Sequence, residues 1–425
     1  MNSNDSLYKA YVSILKEELI PAMGCTEPIA LAYAASIARK TLGINPDRVR
    51  IQASGSIIKN VKSVIVPNTH HLKGMSAAVA SGIIAGNPDK KLEVISEVCE
   101  EKKCEIETYL KQTQFSEEFL EDGHVFDLII TLYAGNEESR VRITDTHTNV
   151  VLIEKNRLAL FEKKLEVNNA PVKTDRTLLN MESIYEFAEC VAIEDVKEIL
   201  ERQISYNVAI SEEGLRNDYG ANIGKVIMHH QDPSVRTRAK ARAAAASDAR
   251  MNGCELPVVI NSGSGNQGIT CSLPVIEYAQ TYHVKKEKLY RALIISNLTA
   301  IHEKTGIGTL SAFCGAVSAG AGAGAGIAYL MGADFDGISH TVVNALAISS
   351  GIVCDGAKAS CAAKIAAGVD AGIFGYEMYC DHQQFYGGDG IVVKGIENTI
   401  HNIGRLGNDG MKETNNEIIR MMIEK

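Results

Sequence analysis

Between Cys314 and Ala333 the chain carries no charged residue, and residues 315–326 are almost wholly Gly and Ala. So little side-chain bulk leaves few structures open. Gly inside a helix costs about 1 kcal/mol relative to Ala, so such a helix forms only where packing offsets that cost. What Gly offers in return is close approach of two backbones. A membrane span is the competing reading. Gly and Ala add little transfer energy, however, and few residues here are large and apolar. A tightly packed internal helix is therefore expected, with no side-chain chemistry of its own and no role as a nucleotide loop.

The remainder divides by pattern. Leu7 to Leu19 has helical spacing, and a second helix is expected near Pro28, running through IALAYAASIARKTL. VRIQAS (49–54) reads as a strand followed by a turn-like SGS, and KGMSAAVASGIIAG (73–86) as a helix closed by Gly86. FDLIITLYAG (126–135), SRVRITDT (139–146) and NVVLIEKN (149–156) read as successive strands, at least two of them antiparallel. From about residue 180 helical periodicity dominates. The fold class expected is an α/β N-terminal lobe, with a mixed sheet and helices, plus a larger and mostly α-helical C-terminal lobe. The lobes are set at residues 1–170 and 178–425, with the polar stretch NNAPVKTDRT (168–177) between them.

Charge narrows the partners. Lys and Arg total 43 against 52 Asp and Glu, a formal charge of −9 with no long basic run. Neither a nucleic-acid partner nor an anionic membrane surface is expected. MNSNDSLYKAYVSILKEEL lacks an apolar stretch behind a basic start, so no ordinary secretory leader is expected and a cytoplasmic location is. A helical lobe rich in small residues could pair with a copy of itself.

Ten cysteines stand at 25, 99, 104, 190, 254, 271, 314, 354, 361 and 380, with no CxxC pair. In a reducing compartment disulfides are not the first explanation, and the spacing argues against a zinc ribbon. Packed thiols, a catalytic thiolate and a cluster with distant ligands stay open. Cys25, in AMGCTEP, precedes an expected helix start, where free N–H groups favour a thiolate. NSGSGNQGITC (261–271) could bind a small polar ligand through its amides, but matches neither a P-loop nor a Rossmann turn. Cys354 and Cys361 would lie roughly 10 Å apart along an unbroken helix, so a shared site requires DGAKAS to be partly loop. Cys314 would come from another helix, and three thiolates leaving one iron open is what a Lewis-acid cluster enzyme needs. Without further evidence the same three could be packed thiols. His147 and the His70-His71 pair could be bases or ligands, while SEVCEEKKCEIE (96–107) reads as a solvated helix face that makes Cys99 and Cys104 bystanders.

These segments resemble the L-cysteine desulfidase family, related to the α-chain of iron–sulfur L-serine dehydratases. The matching pieces are GCTEP (24–28), SGSIIKN (54–60), HTN (147–149), ASDARM (246–251), NSGSGNQGI (261–269), LSAFC (310–314), VCDGAKASC (353–361) and GIE-x-T (395–399). They share one order and span nearly the whole chain. The resemblance implies a carbon–sulfur lyase that needs no pyridoxal phosphate and cleaves L-cysteine to pyruvate, ammonia and hydrogen sulfide. It implies an oxygen-sensitive 4Fe–4S cluster held by Cys314, Cys354 and Cys361. Cys25 is the candidate base, or else the resting ligand of the fourth iron. Lys59, Asn60, Asn266 and Gln267 are the candidate contacts for substrate carboxylate and amine, with Ser54 and Gly55 as their turn and His147 beside them. L-serine dehydration, or a non-enzymatic iron–sulfur redox or sensor role, is the alternative. The chain departs from the family in PNTHHLKGM (67–75), where His70 and His71 replace small residues. They could narrow the pocket or sit on the surface. Cys271 falls outside the ligand set and is left to packing.

Overall fold

The computed structural model describes residues 1–121, 124–163, 173–308 and 310–423. It opens with α1 (Ser6–Glu18), β1 (Pro21–Met23), α2 (Thr26–Leu42), β2 (Arg48–Ser54), α3 (Gly55–Val61), α4 (Met75–Ala85) and α5 (Glu100–Gln112). Five strands follow: β3 (Gln114–Leu120), β4 (Asp127–Ala134), β5 (Glu137–Thr144), β6 (Val150–Lys155) and β7 (Leu158–Glu162). Thereafter come α6 (Met181–Cys190), α7 (Lys197–Arg216), α8 (Ile223–His230), α9 (Val235–Met251), β8 (Pro257–Val259) and α10 (Gly265–Thr281). The chain ends with α11 (Lys286–Ile307), α12 (Gly315–Leu330), α13 (Phe335–Ser349), α14 (Cys361–Cys380), α15 (Ile396–Arg405) and α16 (Lys412–Ile423). This is the expected α/β part followed by a mostly helical one. Of the expected linker, residues 168–172 lie outside the described residues.

Six strands form one mixed sheet in the order β3-β2-β4-β5-β6-β7. Only β2 and β3 run parallel, and the crossover through α3, α4 and α5 makes that pairing reachable. Alternation sets the faces. Val49, Ile51 and Ala53 stand opposite Leu132, Ile130 and Leu128, which in turn share the core with Val141 and Ile143. Helices α2 and α4 cover that face. Arg50, Gln52 and Glu118 share the wetter face, where Arg50 Nε and Nη2 donate to Glu118 at 2.8 and 2.7 Å. One polar and one buried face is what an antiparallel meander allows.

The second core surrounds α12. Residues 316–330 are all buried. Helices α10, α11, α13 and α14 pack around them. The Gly-Ala repeat does there what its composition implies. A Cβ on Gly324 would stand 2.5 Å from Gly372 O of α14, and one on Gly322 would stand 2.5 Å from Ser296 O of α11. Helix α1 joins this core, with Tyr8 and Tyr11 stacked edge-on to Phe187 at 5.4 and 5.3 Å. Among the described residues no helix is long and apolar enough to cross a membrane.

Several local expectations change. The turn expected at SGS is the start of α3, which begins at Gly55 directly behind β2. Most of NSGSGNQGITC is helix, since α10 begins at Gly265 and only residues 261–264 remain as turn. Strands β1, β3, β7 and β8 carry no strong alternation and were not anticipated.

Candidate active site

Three ties bring distant segments to one place. First, β1 pairs antiparallel with β8, Met23 opposite Pro257 and Pro21 opposite Val259. That sets the start of α2 against the start of α10, where Thr26 Oγ1 donates to Gly263 O at 3.2 Å. Second, Phe313 and Val353 form a β-bridge. Cys314 N–H donates to Ile352 O at 3.1 Å and Cys354 N–H to Ala312 O at 2.6 Å, so these two cysteines lie side by side. Third, the glycine contacts of α12 with α14 set Cys314, at the entrance of α12, relative to Cys361, the first residue of α14. The cavity they enclose has a volume of about 360 Å³.

Four helices begin at its wall. The first turns or caps of α2, α10, α12 and α14 all contribute lining residues, and none of the four is closed by a side-chain cap. By contrast Asn180, Ser234 and Asp334 do cap α6, α9 and α13. Uncapped N–H groups and the positive ends of four helices favour negative charge in the space between them.

Most of the candidate residues meet here. Cys25, Lys59, Asn60, His147, Asn266, Gln267, Cys314, Cys354 and Cys361 all line the cavity. Lys59 is only 1% exposed, and its Nζ donates to Asn415 Oδ1 of α16 at 2.7 Å and to Cys354 O at 3.4 Å. Asn60 Nδ2 donates to Glu27 Oε1 at 2.9 Å. Asn266 and Gln267 sit in the first turn of α10, with Gln267 Oε1 buried and unpartnered. Glycines make the room. A Cβ on Gly315 would stand 2.6 Å from Gln267 Cδ, and one on Gly356, whose φ is +98°, would run into the Lys59 carbonyl.

Ser54 and Gly55 are not part of that wall. Ser54 Oγ donates to Val125 O at 2.8 Å, and the bare Cα of Gly55 admits Ile419 of α16. They seat α3 and so act on Lys59 and Asn60 from behind. His70 and His71 are also away from the cavity. His70 lies between Glu100 and Glu107, 2.7 Å from the latter, in the surface position that was one of its two readings. Cys271 packs with Ala300 and Ala319, as a core thiol does. Cys99 and Cys104 are exposed, and all ten cysteines are unpaired.

Burial governs the charges. It pushes the Cys25 thiol up to about 12, against a smaller opposing effect of Arg250, so the lowering expected from the helix terminus does not emerge. Burial likewise lifts Cys314 to about 12, with Cys354 adding to the effect, and raises Cys361. It lowers Lys304 to about 8 and also lowers Lys59. Desolvation lowers His147, whose Nε2 is shielded from water and has no partner among the described residues. Only the thiolate ligates a metal, so a cation bound at these thiols would have to displace their protons. Among the described residues no three His, Cys, Asp or Glu side chains converge on a single-ion site.

Arg250, Lys304 and Glu27 also line the cavity, and sequence reasoning did not single them out. Arg250 lay in view within ASDARM, whereas Lys304 has no motif around it. Against known proteins, residues 89–420 match the family model described as the serine dehydratase alpha chain. Cys25, Lys59 and Asn60 precede the matched segment. The chain is 58% identical to a UPF0597 protein of Desulfitobacterium hafniense, covering 100% of this chain and 99% of that one. It is 50% identical to a UPF0597 protein of Lachnoclostridium phytofermentans, over 98% of this chain and 100% of the relative. It is 46% identical to one of Treponema denticola, over 100% of both.

Proposed function

The chain belongs to the serine dehydratase alpha-chain family, and from that premise we propose that it is an iron–sulfur-dependent lyase that cleaves L-cysteine. The products would be pyruvate, ammonia and hydrogen sulfide, formed without pyridoxal phosphate. The observation that carries this reading is the meeting of Cys314, Cys354 and Cys361 in one cavity with Lys59, Lys304 and Arg250. A 4Fe–4S cluster takes each thiolate on a different iron, so three sulfurs around a gap suit it where a single ion would need them convergent. Lys364 lies close enough to Cys314 and Cys361 to oppose the effect of burial on both. The donor set therefore fits the cluster. Once bound, it supplies a Lewis acid for the departing sulfur.

The protein's own residues account for the rest. The α-proton leaves Cα, its electrons form the Cα–Cβ double bond, and the Cβ–S bond breaks to release hydrosulfide. The enamine left behind tautomerises, and water hydrolyses it to pyruvate and ammonia. Cys25 and His147 both line the cavity, and either could take the α-proton. Burial holds the Cys25 proton in place, while it keeps His147 neutral with a free nitrogen. We assign the proton to His147 and leave Cys25 as a ligand of the resting enzyme. Unpaired cysteines throughout the described residues suit a reducing compartment, which favours the cytoplasm.

The family's name favours a second reading, L-serine as substrate. One anaerobic experiment tests both. The protein is reconstituted with iron and sulfide, and pyruvate and sulfide are measured from L-cysteine with L-serine in parallel. Cys354→Ala should lose both iron and product. Pyruvate from serine alone would replace the substrate, and iron bound with neither product would remove the lyase reading.

A further inference from the structure

Arg250 is 4% exposed, lies in the last turn of α9 and lines the cavity. A buried guanidinium has five N–H donors to satisfy. One contact is with Asn266, whose Oδ1 accepts from Nη1 at 3.0 Å. Nε is buried and has no partner among the described residues. Arg250 forms no ion pair with any described residue, although four other arginines of this part, Arg176, Arg236, Arg238 and Arg242, each hold an acid. Leaving a buried cation uncompensated is costly, so a site that keeps one has an anion to receive.

The surroundings suit an anion. Gly265, the first residue of α10, has no side chain where a Cβ would stand 2.7 Å from Arg250 Cζ. The guanidinium thus lies against the uncapped first turn of α10, whose free N–H groups add a second source of positive potential. Asn266 is fixed by Arg250 and by Ser247 Oγ at 3.3 Å, so the amide and the guanidinium form one rigid surface. Across the same cavity Glu27 offers a carboxylate held by Asn60, an acceptor for an ammonium.

Resting on the lyase reading, we propose that Arg250 and the first turn of α10 bind the α-carboxylate of the amino-acid substrate. Arg250 is then the residue that restricts the site to α-amino acids with a free carboxylate. It is a positioning residue, since the bond changes occur at Cα and Cβ. Lys59, the carboxylate partner expected from sequence, already has Asn415 and the Cys354 carbonyl as partners.

The test compares L-alanine, which has the carboxylate and no leaving group, with L-alaninamide, which lacks the carboxylate. Calorimetric titration uses the iron-loaded wild type, Arg250→Met and Arg250→Lys. The wild type should prefer L-alanine, and Arg250→Met should weaken L-alanine binding by about 30-fold or more while leaving L-alaninamide unaffected. Arg250→Lys, which keeps charge without the fork, should fall between them. In turnover, KM for L-cysteine should rise more than kcat falls. A wild type with no preference, whether both compounds bind or neither does, would overturn the assignment, as would a preference retained in Arg250→Met. Loss of the preference in a protein that turns over neither cysteine nor serine would leave the anion site standing and remove only the lyase chemistry.

Discussion

Gly324→Ala tests how the cavity is framed. Two effects oppose each other. Ala favours a helix by about 1 kcal/mol over Gly. Against this, the new methyl would stand 2.5 Å from Gly372 O and 2.8 Å from the Gly372 carbonyl carbon. Both are backbone atoms in the middle of α14, so no rotamer change relieves the overlap. Ordinary contact begins at about 3.4 Å, so α12 and α14 must part by roughly 1 Å. Overpacking of a rigid core costs about 1–3 kcal/mol, and the lost dispersion along the helix pair places this case toward the upper end. The net expectation is a loss of about 2 kcal/mol. Because Cys314 immediately precedes α12 and Cys361 begins α14, the same separation should lower iron content after reconstitution. Denaturant unfolding of the metal-free protein and iron analysis give the two readouts. Gly351→Ala, with open space at its Cβ, is the control and should change neither. A gain of about 1 kcal/mol with wild-type iron would mean that helix propensity alone operates and that the helices are not in backbone contact.

Lys304→Met should stabilise the metal-free protein at pH 7 by about 3 kcal/mol, from a lysine brought from 10.5 to about 8 by burial at 1.36 kcal/mol per unit. With its folded pKa below the unfolded one, the wild type gains stability as pH rises between about 8 and 10.5, so the gap should close over that window. A gap that is constant with pH in chemical unfolding would refute the burial argument. Gly356→Ala, at φ +98° and against the Lys59 carbonyl, should cut kcat/KM at least tenfold with the fold retained by circular dichroism, and normal activity would show that the turn is soft. Asn415→Ala removes the 2.7 Å acceptor of a buried ammonium and should cost about 1–3 kcal/mol. Asn415→Asp should restore that stability, and equal stability of all three proteins would show that α16 does not hold Lys59.

Much of this was legible in the chain, and the limits have physical causes. The strands around Ile51 and Val141 announce themselves because one face is buried and the period is two, while the strand around Ile130, buried almost throughout, shows as a short apolar run. The glycine-rich α12 was readable because its composition leaves backbone contact as its main source of packing. The three cysteines were readable as a set only through resemblance, since their meeting depends on a β-bridge and a helix–helix contact that no local pattern encodes. Strands β1 and β8 are three residues each, too short for periodicity, yet they set α2 against α10. Lys304 and Arg250 lie on helices where a lone cation reads as surface, and only tertiary burial reveals them. Ser54 and Gly55 were misplaced because a Ser-Gly pair resembles a ligand turn, when here it starts a helix.

The pairing of β1 with β8 has a consequence for biogenesis. Cys25 meets Met251, a neighbour 226 residues away, and Cys361 is made later still. Contacts so distant form only after long loops have closed, which makes them late events in folding. On the ribosome Cys25 emerges long before the segments that shelter it, and the thiol set is complete only once α14 has followed. Every nascent or partly opened chain therefore carries its thiols without their cavity, exposed to oxidants and stray metals. Under the proposed reading, a group held by the three thiols would be loaded last, on a chain that has already closed around the space.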